Sequence, residues 1–133
     1  MKETIDTIIQ WYKETFPNAT LEEQLMKYQE EQIEWVESDY TNVKELADMF
    51  IVACGIARFD AWEGLFYMHD VYDWYLGSEE IHFDEVKKAI NEKMEKNRKR
   101  VWNKADNGTY HHESGGINIS FSITDKPNKK DNK

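Results

Sequence analysis

The chain has 133 residues and a formal net charge of -9, from 26 acidic and 17 basic side chains, and 40% of its residues are hydrophobic. This length predicts one domain with a substantial core. The acidic balance argues against a protein that holds a nucleic acid polymer, because phosphate backbones bind to basic surfaces. A small anionic ligand would have to be held by local cations or by a metal, against the field of the whole protein.

The sequence has no apolar run long enough to predict a membrane span, and its first residues do not have the pattern of a signal peptide. We therefore expect no membrane contact and a cytoplasmic location. Cys54 is the single cysteine, which excludes a disulfide within the chain. Its place in an apolar segment predicts a buried, inert thiol.

The predicted elements are helices separated by short breaks, so the expected fold class is all-α, an antiparallel helical bundle. Apolar residues recur on one side of residues 2–16, which predicts a first helix that Pro17 stops. Thr20 followed by Glu23 is a capping box that opens a second helix. Residues 38–42 form the turn that follows.

A third helix is predicted to begin after Thr41 or Asn42, either of which can cap it, and to run to about Phe59. After Asp48 this helix is apolar on all sides, which is typical of a buried helix. An acidic residue near its start must therefore be paired, hydrogen-bonded or bound to metal.

Two further helices complete the predicted bundle. An aromatic-rich helix extends from about Trp62 to Leu76 and ends at Gly77, and the last long helix extends from about Phe83 to Trp102. The aromatic residues of the fourth helix are expected to build the core or an oligomer interface, with stacking on a base as the alternative; they are Trp62, Phe66, Tyr67, Tyr72, Trp74 and Tyr75.

The composition changes after Lys104, so we expect a helical domain over residues 1–104 and a tail or arm over residues 105–133. Asn107-Gly108 is a turn signal. One short strand is predicted in the tail, and pairing with a symmetry mate, packing as an extended arm and disorder stay open for it. Its alternating apolar residues are Ile117, Ile119, Phe121 and Ile123.

Acidic residues recur in pairs on the second and third predicted helices. Glu31 and Glu34 are three residues apart, and Glu45 and Asp48 have the same spacing. Each pair therefore shares one helix face. Both pairs are equidistant from the turn at residues 38–42, so an antiparallel hairpin would bring the four carboxylates together.

Four facing carboxylates repel one another unless a cation lies between them. Carboxylate oxygens suit Mg²⁺ or Mn²⁺, and substrate phosphates usually complete the ligands of Mg²⁺. The pattern therefore predicts a metal together with a di- or triphosphate. The alternative for Glu31 and Glu34 is a solvated surface, because 26 acidic residues make such spacings common. That alternative fits Asp48 less well, since its helix has little polar surface.

The last predicted helix carries a polar stripe formed by Lys93, Asn97 and Arg100, at i, i+4 and i+7. Arginine offers bidentate contacts to phosphate oxygens and lysine offers a point charge. A solvated basic face is the alternative, because other lysine and arginine residues share this helix.

These residues resemble the all-α nucleoside triphosphate pyrophosphohydrolases, the MazG-like group related to dimeric dUTPases. The E-x-x-E and E-x-x-D motifs of that family are matched by "EQIE" and "ELAD". The segment "KMEKNRKRVWNKADNGTYHHE" looks like the C-terminal part of phage and bacterial dATP/dGTP pyrophosphohydrolases, with their K-x-x-x-N-x-x-R-x-W pattern. The opening "WYKETFPNAT" is similar to the start of that subgroup, and the resemblance covers most of residues 10–113.

The resemblance implies a magnesium-dependent enzyme that hydrolyses a nucleoside triphosphate to the monophosphate and pyrophosphate. Two or more Mg²⁺ ions, or Mn²⁺, would be held by Glu31, Glu34, Glu45 and Asp48. The leaving pyrophosphate would be steadied by Lys93, Asn97 and Arg100. Trp11 and Phe16 match the motif from which base contacts are expected.

The same resemblance favours a purine deoxynucleotide, dGTP or dATP, in the control of nucleotide pools, in the host cytoplasm if the gene is from a phage. It also implies a dimer or tetramer. A pyrimidine enzyme of the dUTPase or dCTPase kind is one alternative. A non-enzymatic acidic helical module that binds a basic partner is another.

Overall fold

The computed structural model of the chain describes residues 2–78, 80–100, 102–104 and 110–112. The chain forms two compact units, residues 1–98 and residues 99–133. In the described part, five α-helices confirm the predicted all-α fold. They are α1 (Ile5–Thr15), α2 (Leu21–Glu37), α3 (Val43–Ala57), α4 (Ala61–Leu76) and α5 (Phe83–Lys99).

Capping side chains set where the first two helices begin. The Thr4 hydroxyl accepts a hydrogen bond from the Thr7 backbone N–H, so α1 begins at Ile5, later than the predicted residue 2. The predicted capping box of α2 is confirmed. The Thr20 hydroxyl accepts from the Glu23 backbone N–H, and the Glu23 carboxylate accepts from the Thr20 N–H.

The turn between α2 and α3 reverses the chain, as predicted. Asp39 and Tyr40 both adopt the left-handed conformation there, with φ of 64° and 60°, which is uncommon for a residue as bulky as tyrosine. The Tyr40 ring lies flat on Trp74, with centroids 5.0 Å apart. The Asn42 side chain then caps α3, which settles the choice between Thr41 and Asn42.

Helix α3 lies at the centre of the first unit and packs against α1, α2 and α4. Neighbours on several sides explain why the sequence of α3 is apolar nearly all round, and its predicted burial is confirmed. Cys54 on this helix is fully buried, and burial raises the pKa of its thiol to about 12. None of the helices in the described residues is long and apolar enough to cross a membrane.

Helices α3 and α4 approach each other closely at Gly64. A methyl group built on Gly64 would overlap the Cα and Cβ atoms of Ala57 and lie 2.6 Å from the Ala57 nitrogen. The missing side chain therefore allows the two backbones to pack in contact. On the outer face of α4, Trp62 is 82% exposed and Phe66 is 70% exposed. The predicted core role is therefore wrong for these two residues, and an oligomer interface or base stacking stays a prediction for them.

Helix α5 ends at Lys99, so the prediction that it continues to Trp102 is wrong. Trp102 instead begins the strand β1 (Trp102–Lys104), which pairs antiparallel with β2 (Tyr110–His112). The aromatic Trp102 favours extended structure more than helix. The predicted turn at residues 107–108 and the predicted strand at residues 117–123 lie outside the described residues. The predicted domain boundary after Lys104 stays a prediction.

An ion pair ties the start of α1 to α5. The Arg98 guanidinium donates to both oxygens of the Glu3 carboxylate, at 2.9 and 2.8 Å. The Glu3 backbone N–H also donates to the Asn91 side chain at 2.7 Å. The Arg98 hydrogen bonds hold the pKa of Glu3 below its ordinary value although burial opposes them.

We expect the Glu3 carboxylate to contribute stability above pH 4.5, its ordinary pKa, and to lose that contribution as the pH falls through its lower folded pKa. Arg98→Met should therefore cost about 1 kcal/mol at pH 7 and less at pH 3. Urea unfolding at both pH values measures this, with Lys96→Met, exposed on the same helix, as the control. An equal cost at both pH values would contradict the ionic origin of the effect.

Candidate metal centre

The α2–α3 hairpin brings together three of the four predicted acids. Glu31 of α2 and Glu45 and Asp48 of α3 each place one carboxylate oxygen within 4.8 Å of the other two. Glu31 is 2% exposed and Asp48 is 8% exposed, while Glu45 is half-buried. The antiparallel register that was read from the spacing accounts for this convergence.

Glu34 lies one turn after Glu31 on the same face of α2 and is also buried. It is not a member of the group that Glu31 forms with Glu45 and Asp48. Its place in the hairpin is nearer the turn than that of Glu31. The role of Glu34 as a metal ligand stays a prediction.

Lysine side chains contact the acidic group from α5 and from α2. The Lys93 ammonium lies 3.4 Å from Oδ1 of Asp48. The Lys27 ammonium lies 3.3 Å from Oε2 of Glu31 and 3.6 Å from Oε1 of Glu30. Lys27 was not predicted, although its i, i+3 and i, i+4 spacing to the two glutamates was visible in the sequence.

Tyr12 of α1 is a further neighbour of the acidic group that the sequence did not reveal. Burial raises the pKa of its hydroxyl, a hydrogen bond with Gln24 opposes this, and the negative charges of Glu31 and Asp48 add to the rise. The Gln24 side chain is itself fixed by donating to the Val52 carbonyl at 3.2 Å. A neutral hydroxyl therefore lies within electrostatic reach of the carboxylates.

The predicted base contacts, Trp11 and Phe16, are core residues that are 6% and 4% exposed. Their rings meet edge to face with centroids 5.4 Å apart, and Arg58 donates to the Phe16 carbonyl at 2.7 Å. Neither ring presents an exposed face on which a base could stack in this conformation. Their role in base binding stays a prediction.

The remaining members of the predicted polar stripe differ in their surroundings. Asn97 follows Lys93 by one turn of α5 and is 7% exposed, with its amide nitrogen 3.8 Å from the Met94 sulfur. Arg100 lies beyond the end of α5, in the second unit, and is half-buried. The predicted helical stripe therefore ends before Arg100, and the phosphate contacts of these residues stay a prediction.

The donor set of Glu31, Glu45 and Asp48 fits a small hard cation. In an octahedral Mg²⁺ site with bonds of about 2.1 Å, neighbouring oxygen ligands are about 3.0 Å apart and only opposite ligands are about 4.2 Å apart. At most one pair among three ligands can be opposite, so the three oxygens, which lie within 4.8 Å of one another, would have to draw together to hold one ion. Three carboxylates without histidine or cysteine favour Mg²⁺ or Mn²⁺ over Zn²⁺.

The fold and the acidic group define a helical-bundle protein with a buried carboxylate cluster. The chain matches no protein-family model, no curated protein and no solved structure. The resemblance to MazG-like pyrophosphohydrolases thus depends on the sequence motifs and stays a prediction.

Proposed function

We propose that the protein is a magnesium-dependent, MazG-like pyrophosphohydrolase that converts a deoxynucleoside triphosphate to its monophosphate and pyrophosphate. The observation that carries this proposal is the approach of Glu31, Glu45 and Asp48 to within 4.8 Å of one another from two antiparallel helices. A purine substrate, dGTP or dATP, and a place in nucleotide-pool control in phage-infected cells are the finer parts of the proposal, and they depend on the motif resemblance.

The chain's own groups have distinct parts in this chemistry. Glu31, Glu45 and Asp48 would hold the metal, which when bound would neutralise phosphate charge and activate water. Lys93 lies beside Asp48, with its side chain 16% exposed, and in this proposal its ammonium would contact a phosphate oxygen that approaches the cluster. The buried setting strengthens these charge interactions by excluding water.

The exposed aromatic face of α4 supports the proposed assembly into a dimer or tetramer. Trp62 and Phe66 lie one turn apart and are 82% and 70% exposed, and large apolar side chains exposed side by side mark interaction sites in soluble proteins. Burial of this face against a second copy would remove it from water.

Pyrophosphate release from a panel of deoxy- and ribonucleotides, each with Mg²⁺, Mn²⁺ or chelator, tests the proposal. We expect metal-dependent turnover concentrated on dGTP or dATP. Turnover concentrated on dUTP or dCTP would replace the proposed purine substrate with a pyrimidine and leave the proposed reaction unchanged. If the folded protein turned over none of the nucleotides, the proposed enzymatic function would be overturned and an acidic interaction module would be favoured.

A further inference from the structure

Lys27 shares its ammonium between one acid of the metal group and one outside it. The ammonium lies 3.3 Å from Glu31, which belongs to the group, and 3.6 Å from Glu30, which does not. The two carboxylates are almost fully buried, with side chains 2% and 0% exposed, and the lysine side chain is 21% exposed. This arrangement differs from a surface ion pair, which water would screen.

A metal at Glu31 and the Lys27 ammonium would compete for the same carboxylate. If the ammonium stayed in place, it would lie a few ångströms from a dication, and like charges at that distance repel strongly in a buried setting. Glu30 offers a second position within reach. A movement of the ammonium from Glu31 toward Glu30 would therefore relieve the repulsion and keep a charge beside a buried carboxylate, where an unpaired charge is costly.

We propose that Lys27 is a resident counter-cation of the metal site, which neutralises Glu31 in the metal-free protein and moves onto Glu30 when metal binds. Metal loading is then an exchange of cations, and Glu30 is the acceptor that makes the exchange possible. This inference rests on the proposed metal site and assigns functions to two residues outside its ligand motif. Lys27 and Glu30 are positioning residues, since they act through Glu31.

The exchange predicts opposite effects for the two positions. Lys27→Met removes the competing charge and should tighten Mn²⁺ binding about tenfold. Glu30→Gln leaves the ammonium no second acid, holds it on Glu31, and should weaken Mn²⁺ binding about tenfold. In the Lys27→Met background, Glu30→Gln should have a much smaller effect, because no ammonium is left to relocate.

The EPR signal of free Mn²⁺ measures Mn²⁺ binding in the absence of nucleotide. It is recorded at one pH and ionic strength for the unmodified protein, Lys27→Met, Glu30→Gln and the variant with both substitutions. Lys27→Arg keeps the charge and should bind Mn²⁺ like the unmodified protein. Lys44→Met and Glu22→Gln, at exposed positions, are controls for loss of charge. The rise in unfolding temperature on adding Mn²⁺ is a second readout, which should be larger for Lys27→Met than for Lys27→Arg even where Glu30→Gln does not fold.

The outcomes separate this inference from the proposed function. If the unmodified protein binds no Mn²⁺, the metal site itself is wrong and the exchange is overturned with it. If the unmodified protein binds Mn²⁺ but Lys27→Met binds no more tightly than Lys27→Arg, the site stands and the exchange is overturned. If Glu30→Gln weakened Mn²⁺ binding equally with and without Lys27, the exchange would also be overturned. Glu30 would then act on the metal through its own negative charge and not through Lys27.

Discussion

Asp48→Asn is expected to lower metal-dependent turnover by at least about a thousandfold, the scale of losing a group that stabilises transition-state charge. Asp48 is 8% exposed on the central helix, so the amide fits the same space and the packing is preserved. The substitution removes one negative oxygen donor from the group formed with Glu31 and Glu45. A neutral amide is a much weaker ligand for Mg²⁺ than a carboxylate.

The stability of the metal-free Asp48→Asn protein should change by less than about 1 kcal/mol, because two opposing effects of a buried charge are removed together. Relief of the repulsion from Glu31 and Glu45 offsets loss of the ion pair with Lys93 at 3.4 Å. Steady-state pyrophosphate release and urea unfolding measure the two effects, with Asp84→Asn, whose side chain is 93% exposed, as the control. Unchanged turnover in folded Asp48→Asn would remove Asp48 from the proposed site.

The part of the site that the sequence predicted depends on the α2–α3 hairpin alone. Acids at equal distances from one turn lie level with each other if the two helices run antiparallel, and Glu31, Glu45 and Asp48 do come together. Spacing along the chain could not fix how the helices rotate about their axes. That rotation depends on side-chain packing along the whole contact, so the sequence could not tell which of the four acids would form one group.

Contacts between elements distant in the sequence were beyond prediction. Tyr12 reaches the charges of Glu31 and Asp48 because α1 packs across α3, and the periodicity of a single helix does not define that crossing. Lys27 was visible at helical spacing from its partners. Its significance comes from the burial of Glu30, whose side chain is 0% exposed, and burial follows from tertiary packing.

Gly64→Ala is expected to destabilise the protein by about 2 kcal/mol or more, through overpacking between α3 and α4. Alanine is favoured over glycine inside a helix by about 1 kcal/mol, so an unconstrained position would gain stability. At Gly64 the added methyl group would overlap Ala57 and lie 2.6 Å from its nitrogen. Because backbone atoms are among these contacts, only a separation of the two helices relieves the overlap.

Gly77→Ala is the matched control for this substitution. A methyl group on Gly77 would meet the carbonyl oxygens of Asp73 and Trp74 at 3.5 and 3.7 Å, which is ordinary contact. The φ angle of Gly77 is -77°, which alanine adopts without strain, so this variant should be as stable as the unmodified protein or slightly more so. Urea unfolding of the two variants measures the difference. Equal stabilities would mean that α4 can move away from α3 at no cost, and the close packing at Gly64 would then not hold the helices together.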